Sequence, residues 1–232
     1  MSNWEISTKP FSWNFTKNTV KDFDHHIKLS IPFYLEGHEL ILKLAEFFIK
    51  EDSLCYELGT STGSISEKLA KKFSENNSRF IGLDIEKDMI DTAKKMKLNN
   101  LSFLLKDIVD FDFKSSDMII SYYTIQFIHA KYRQEIFKKI YDSLNWGGAF
   151  ILFEKVRAPD ARFQDITTQM YDDFKSNNGF NEKEILLKTR SLRGVLDPYT
   201  SEENIRYLTR AGFKDITSVQ KFLCFEGFLA IK

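Results

Sequence analysis

The sequence predicts an α/β domain: a doubly wound, mostly parallel seven-stranded sheet with helices on both faces and a C-terminal antiparallel hairpin. Three observations predict it. Short apolar runs alternate with amphipathic helical patterns from residue 53 to about 156, the order that joins parallel strands through right-handed crossovers. The first of these runs passes straight into a glycine turn and a helix. The last two runs stand too close together for a crossover helix, which makes them an antiparallel pair.

Residues 1–50 are expected to form a helical extension ahead of the sheet. The predicted parallel strands are SLCYEL (53–58), RFIGLD (79–84), LSFLL (101–105), DMIISYY (117–123) and GGAFILFEKV (147–156). Several carry the β-branched and aromatic residues that strands favour. Between them, SISEKLAKKFSEN places Ile65, Leu69 and Phe73 at helical spacing, and KYRQEIFKKIYDSL does the same with Ile136, Ile140 and Leu144. From 157 to 200 the pattern is helical but polar and irregular, which marks a lid or insertion over the site. A helix around 202–210 precedes the hairpin GFKDITSVQKF and LCFEGFLAIK. The chain, 1–232, reads as a single domain.

Composition narrows the function. With 43% apolar and 15% aromatic residues, 232 residues bury one sizeable core. The 33 basic and 33 acidic residues cancel, and no dense basic block marks a nucleic-acid face, so a small diffusible substrate is expected. Cys55 and Cys224 both lie in apolar runs and form no disulfide framework. The N-terminus lacks the basic start and apolar core of a signal peptide, and no apolar run has the length of a membrane span. The expected location is the cytoplasm. The adjacent histidines in DHH (24–26) point in different directions on a helix, and no metal-ligand spacing occurs, so no metal is expected.

The chemistry sits in CYELGTSTGS (55–64). In an open α/β sheet the ligand lies at the carboxyl ends of the strands, where the first strand turns into its helix. Gly59 lets the backbone approach a ligand, and Gly63 frees the turn into the helix near Ser64. Alone, such a loop fits a dinucleotide equally well. Three carboxylates shift the balance. Glu57 can pair with an ammonium, whereas it would repel a pyrophosphate. Asp84, ending the second strand, can accept from two ribose hydroxyls. Asp107, after the third, can accept from an adenine amino group, with Ile108 flanking the ring. An amino acid joined to adenosine fits all three, although Glu57 as a lysine's partner and Asp107 as a turn cap are the structural alternatives.

YELGTSTGS, GLDIEKDMID, KDIVDF, YYTIQFIHAKYRQEIFKKIYDSLNWGGAFILFEKV, YDDFKSNNGF and FEGFLAIK together resemble the carboxy-S-adenosyl-L-methionine synthases and their methyltransferase-like relatives, from about residue 20 to the end. The resemblance implies the Rossmann-like fold of S-adenosylmethionine-dependent methyltransferases, S-adenosylmethionine as the bound cosubstrate, and a homodimer. It carries the cofactor site onto Tyr34, Glu57, Gly59, Thr60, Ser61, Gly63, Asp84, Ile85, Asp107, Ile108 and Tyr122. Serine in the middle of the loop belongs to the family's pattern, and its hydroxyl can bond the methionine part of the ligand. In such enzymes prephenate loses carbon dioxide, which a sulfonium ylide captures, and a lid arginine holds the new carboxylate. A planar guanidinium suits two carboxylate oxygens. Here Arg190 takes that place, with Arg193 as rival.

Two departures keep other readings open. Tyr122 stands where the family usually has asparagine, and the lid segments RAPDARFQDITTQM and RSLRGVLDPYT differ from its wording. Arg190 and Tyr122 are the candidate catalytic residues of the synthase reading. An ordinary small-molecule methyltransferase would draw its base from Tyr122, His129, Glu154 or Tyr171. A non-catalytic S-adenosylmethionine-binding partner is the third reading. The aromatic residues Trp4, Phe11, Trp13 and Phe15 are expected to mediate the dimer or to cover the site.

Overall fold

The structure, a computed structural model, describes residues 17–232. Trp4, Phe11, Trp13 and Phe15 lie outside the described residues. Seven strands form one sheet: β1 (Leu54–Leu58), β2 (Arg79–Asp84), β3 (Leu101–Leu105), β4 (Ser116–Tyr122), β5 (Leu144–Lys155), β6 (Asp215–Phe222) and β7 (Phe225–Ile231). Their order is β3-β2-β1-β4-β5-β7-β6. The first five are parallel. β7 runs antiparallel between β5 and β6, so the expected hairpin is present and enters the sheet by its second strand.

The order reverses between β1 and β4. Strands to one side of β1 continue to β3, and strands to the other continue to β6, so a crevice opens at their carboxyl ends. β1 is buried along its whole length, as a central parallel strand must be when helices cover both faces.

The helices are α1 (Lys17–Ser30), α2 (Tyr34–Phe48), α3 (Ser64–Lys72), α4 (Lys87–Ala93), α5 (Ala130–Ser143), α6 (Ala161–Asn177), α7 (Glu182–Ser191) and α8 (Ser201–Ala211). On one face Ile41 and Ala45 of α2 and Ile65 and Leu69 of α3 pack against Cys55, Ile120 and Phe153. On the other, Ile136, Phe137 and Ile140 of α5 and Leu208 of α8 pack against Tyr56, Ile119 and Phe150. Alternate residues of each strand feed the two cores because strand side chains have a period of two. The segment expected to form a lid holds α6 and α7, and the residues expected to form an N-terminal helical extension hold α1 and α2.

Candidate functional site

β1 delivers Glu57 and Leu58 buried at its carboxyl end. The chain leaves the strand through Gly59 at φ 66°, a left-handed conformation that costs glycine little. A Cβ at Gly59 would overlap the Thr124 side chain, so the residue is fixed by its neighbours as well as by its backbone. Ser61 has φ 52°. That lies in the small left-handed region open to L-residues, at about 1–2 kcal/mol. Serine is tolerated there because its amide donates to Asp84 Oδ2 at 2.8 Å, while its hydroxyl lies 3.4 Å from Met89 Sδ. Gly63, at φ 86°, opens α3.

The loop ties two carboxylates into one site. Glu57 Oε2 accepts from Thr60 Oγ1 at 2.7 Å, from the Ser66 amide at 3.0 Å and from the Ser66 hydroxyl. These hydroxyl and amide donors, not a lysine, hold it. Burial lifts its pKa to about 7, the Ser66 and Thr60 donors pull it down, and the Asp84 charge adds a push upward. Asp84 is also buried; Oδ1 accepts from the Glu86 amide at 2.9 Å, and burial raises its pKa. A carboxylate offers about four lone-pair directions, so each Asp84 oxygen retains capacity for a hydroxyl donor. These two acceptors fit a ribose beside Asp84 and a cationic amino group beside Glu57.

Tyr34 begins α2 and packs its ring 4.7 Å from His38 and 5.1 Å from Tyr122. The Glu57 charge acts on its phenol, which burial holds above its ordinary pKa. Beyond β2, Ile85 is 62% exposed, an apolar side chain open to a ring. Asp84 pairs with Leu105 across β2 and β3, which sets Asp107 two residues past that pair on the neighbouring strand end. Asp107 is exposed, and Oδ1 accepts from the Val109 amide at 2.9 Å: the turn cap exists, and Oδ2 remains for a ligand. Ile108 is buried in the core beneath α5, so its side chain does not flank an open ring site.

Comparison with known proteins follows the same lines. A family pattern described as methyltransferase domain matches residues 56–148. A carboxy-S-adenosyl-L-methionine synthase of Staphylococcus epidermidis is 37% identical over 98% of this chain and 100% of its own length. One of Campylobacter lari is 35% identical over 98% of this chain and 99% of its own. The chain belongs to the carboxy-S-adenosyl-L-methionine synthase family. The solved structure of a SAM-dependent methyltransferase from Aquifex aeolicus shares the fold, with a TM-score of 0.60 at 17% identity over 94% of this chain and 99% of that one. As a member of the carboxy-S-adenosyl-L-methionine synthase family, the chain is an S-adenosylmethionine-using transferase on a methyltransferase fold.

The remaining candidates divide sharply within this family member. Tyr122 is buried, its hydroxyl donates to the Tyr34 carbonyl at 2.6 Å, and burial holds its pKa well above the usual phenol range. It keeps its proton and is a poor base. A Cβ at Gly37 would overlap that hydroxyl, so the glycine makes room for the tyrosine. His129 caps α5 by accepting from the Lys131 amide at 3.2 Å. Glu154 is buried beside Arg133, with burial lifting its pKa to about 8. Lys155, the next residue along β5, lies over the Tyr171 ring; because strand residues alternate, Glu154 and Lys155 face opposite sides of the sheet. Arg190 lies exposed in the last turn of α7, and Arg193 follows the helix exposed, neither making a side-chain hydrogen bond or ion pair among the described residues. Among them there is also no cluster of metal-ligating residues and no helix long and apolar enough to cross a membrane.

Sequence reasoning missed two features. His38 is 1% exposed, with neither ring nitrogen hydrogen-bonded among the described residues, and burial lowers its pKa to about 3, so it is neutral between Tyr34 and Tyr122. Lys155, Lys175 and Lys188 converge beneath the lid; a lysine closing the apolar run FILFEK was the available signal.

Proposed function

We propose that the chain forms carboxy-S-adenosyl-L-methionine from S-adenosylmethionine and prephenate, in the cytoplasm and as a homodimer. The full-length relationship to synthases of that name carries the reading, and the acceptors Glu57 and Asp84, held by the glycine loop, support it. S-adenosylmethionine supplies the activated sulfonium methyl carbon that takes up the carboxyl group. Tyr34, Glu57, Gly59, Thr60, Ser61, Gly63, Asp84, Ile85, Asp107 and Tyr122 are proposed to hold it. Within that set Asp84 accepts from the ribose, Glu57 faces the amino group, and Tyr122 contributes position, because its hydroxyl is already committed to Tyr34. Arg190 is proposed to bind the transferred carboxylate. Its open position on the last turn of α7 suits a group that meets its ligand on lid or dimer closure.

Incubating the purified protein with S-adenosylmethionine, with and without prephenate, and reading the adenosyl species by mass spectrometry tests this. A product heavier by one carbon dioxide is expected only with prephenate, and Arg190→Ala is expected to abolish it. Bound but unchanged S-adenosylmethionine would overturn the synthase reading. It would favour a small-molecule methyltransferase, the reading that Tyr122 in the place of the family's asparagine supports.

A further inference from the structure

Beyond the crevice, at the carboxyl ends of β4 and β5, a second polar cluster lies under the lid. Lys155 ends β5 and places Nζ 4.6 Å from the centroid of the Tyr171 ring; Lys175, one turn further along α6, places its own Nζ 4.3 Å from the same centroid. Lys175 is 5% exposed and pairs with Asp172 at 2.7 Å. The Lys155 ammonium has no hydrogen-bond acceptor or ion-pair partner among the described residues. The carboxylate acting on it, Asp172, is already engaged by Lys175. Lys188 of α7 bonds Ser30 Oγ at 2.8 Å and His26 Nε2 at 2.9 Å, and the charges of Lys175 and Lys155 act on it.

Lysine near a protein surface ordinarily extends its ammonium to water. Here the stems turn inward and like charges are gathered, and burial disfavours two of them: desolvation lowers the pKa of Lys155, and of Lys188 to about 7. Stacking on one tyrosine ring offsets only part of that cost. An arriving anion offsets the rest, because its charge favours the protonated form of each lysine.

The walls identify the kind of anion. Ring contacts run without a break from the cofactor side to the lysines: Tyr34 to Tyr122 at 5.1 Å, Tyr122 to Tyr123 at 4.7 Å, Tyr123 to Phe225 at 5.7 Å, and Phe225 to Tyr171 at 5.2 Å. Tyr122, Tyr123 and Phe225 are themselves buried in the core, so they give the lysines an apolar floor, on which the unsaturated skeleton of an organic acid can rest while the ammonium groups meet its carboxylate. We infer that Lys155 and Lys175, over Tyr171, form the binding site for a carboxylate of the second substrate, apart from the carboxylate assigned to Arg190. The inference rests on the reading that this second substrate is an organic acid.

The test uses full-length protein, Lys155→Met, Lys175→Met and the charge-keeping Lys155→Arg, with circular dichroism to confirm folding. Calorimetric binding of phenylpyruvate probes the site without turnover, and KM and kcat for prephenate probe it with turnover. Each Met variant is expected to weaken phenylpyruvate binding and raise the prephenate KM at least tenfold, with S-adenosylmethionine affinity within twofold of the parent. Lys155→Arg should recover most of the loss, which a merely structural lysine would not predict. Phenylpyruvate affinity within twofold of the parent in both Met variants overturns the inference. Lysine-dependent phenylpyruvate binding by a protein that makes no carboxylated product upholds the anion site and removes the synthase reading.

Discussion

Glu57 shows what a single buried carboxylate does before any ligand arrives. Its pKa stands near 7 because desolvation outweighs the donors from Ser66 and Thr60. With the folded pKa raised above the ordinary carboxylate value, the protein free of ligand binds this proton more tightly than the unfolded chain does. The stability it contributes is therefore fully present below the ordinary value of about 4.3 and is lost as pH rises through about 7. The loss is on the order of 3 kcal/mol. Glu57→Gln is expected to flatten that dependence, so that its melting temperature at pH 8 exceeds the parent's; thermal melts from pH 5 to 8 measure this. A cationic amino group needs the ionised carboxylate, so S-adenosylmethionine affinity should rise up to tenfold per pH unit below 7. It should then level until the ligand's own amino group titrates at about 8. Proton release on binding, read by calorimetry in buffers of different ionisation enthalpy, is expected below pH 7. A pH-independent affinity in the parent protein would sink the role given to Glu57.

Among the elements, α2 meets β4 where the Tyr34 ring packs against Tyr122. Tyr122 lies against Gly37, with its hydroxyl on the Tyr34 carbonyl. Gly37→Ala improves helix propensity yet forces a methyl group into the phenol, and overpacking of this kind costs about 1–3 kcal/mol. Tyr122→Phe removes the overlapping oxygen along with a hydrogen bond worth about 1 kcal/mol. The double variant should therefore be more stable than Gly37→Ala alone, and chemical denaturation of the four proteins reads the coupling. Sequence alone reached the strands because their apolar runs are short and their intervening helices periodic: Ile65, Leu69 and Phe73 fall on the buried side as spaced. It also reached Asp84 and the loop, whose partners lie at successive strand ends. It did not reach Gly37, His38 or the lysines under α6, since their meaning depends on contacts between residues far apart in the chain, such as Tyr34 with Tyr122 or Lys155 with Tyr171. Ile108 was misread for a related reason: a residue after a strand can turn to the core on either face, and this one turns beneath α5.

At the scale of the whole molecule, the proposed cofactor site and the inferred anion site assign separate binding tasks to the two halves of the sheet. The loop, Glu57 and Asp84 stand on β1 and β2, whereas Lys155 stands on β5 and its companions stand on α6 and α7. Under that assignment a ligand on the first half engages α2 through Tyr34, and a ligand on the second engages α6 and α7, so each should raise the melting temperature by its own mass action. S-adenosylmethionine at a hundredfold its dissociation constant contributes about 2.7 kcal/mol. For a chain of this size that corresponds to a rise of roughly 5–10 °C. Glu57→Gln should shrink this rise at pH 8 while leaving the response to phenylpyruvate intact, and Lys155→Met should do the reverse. Differential scanning calorimetry with each ligand alone and with both together separates the two sites. If either substitution abolished both responses equally, the two halves would form one site, and the division of tasks between β1–β2 and β5 with the lid would be wrong.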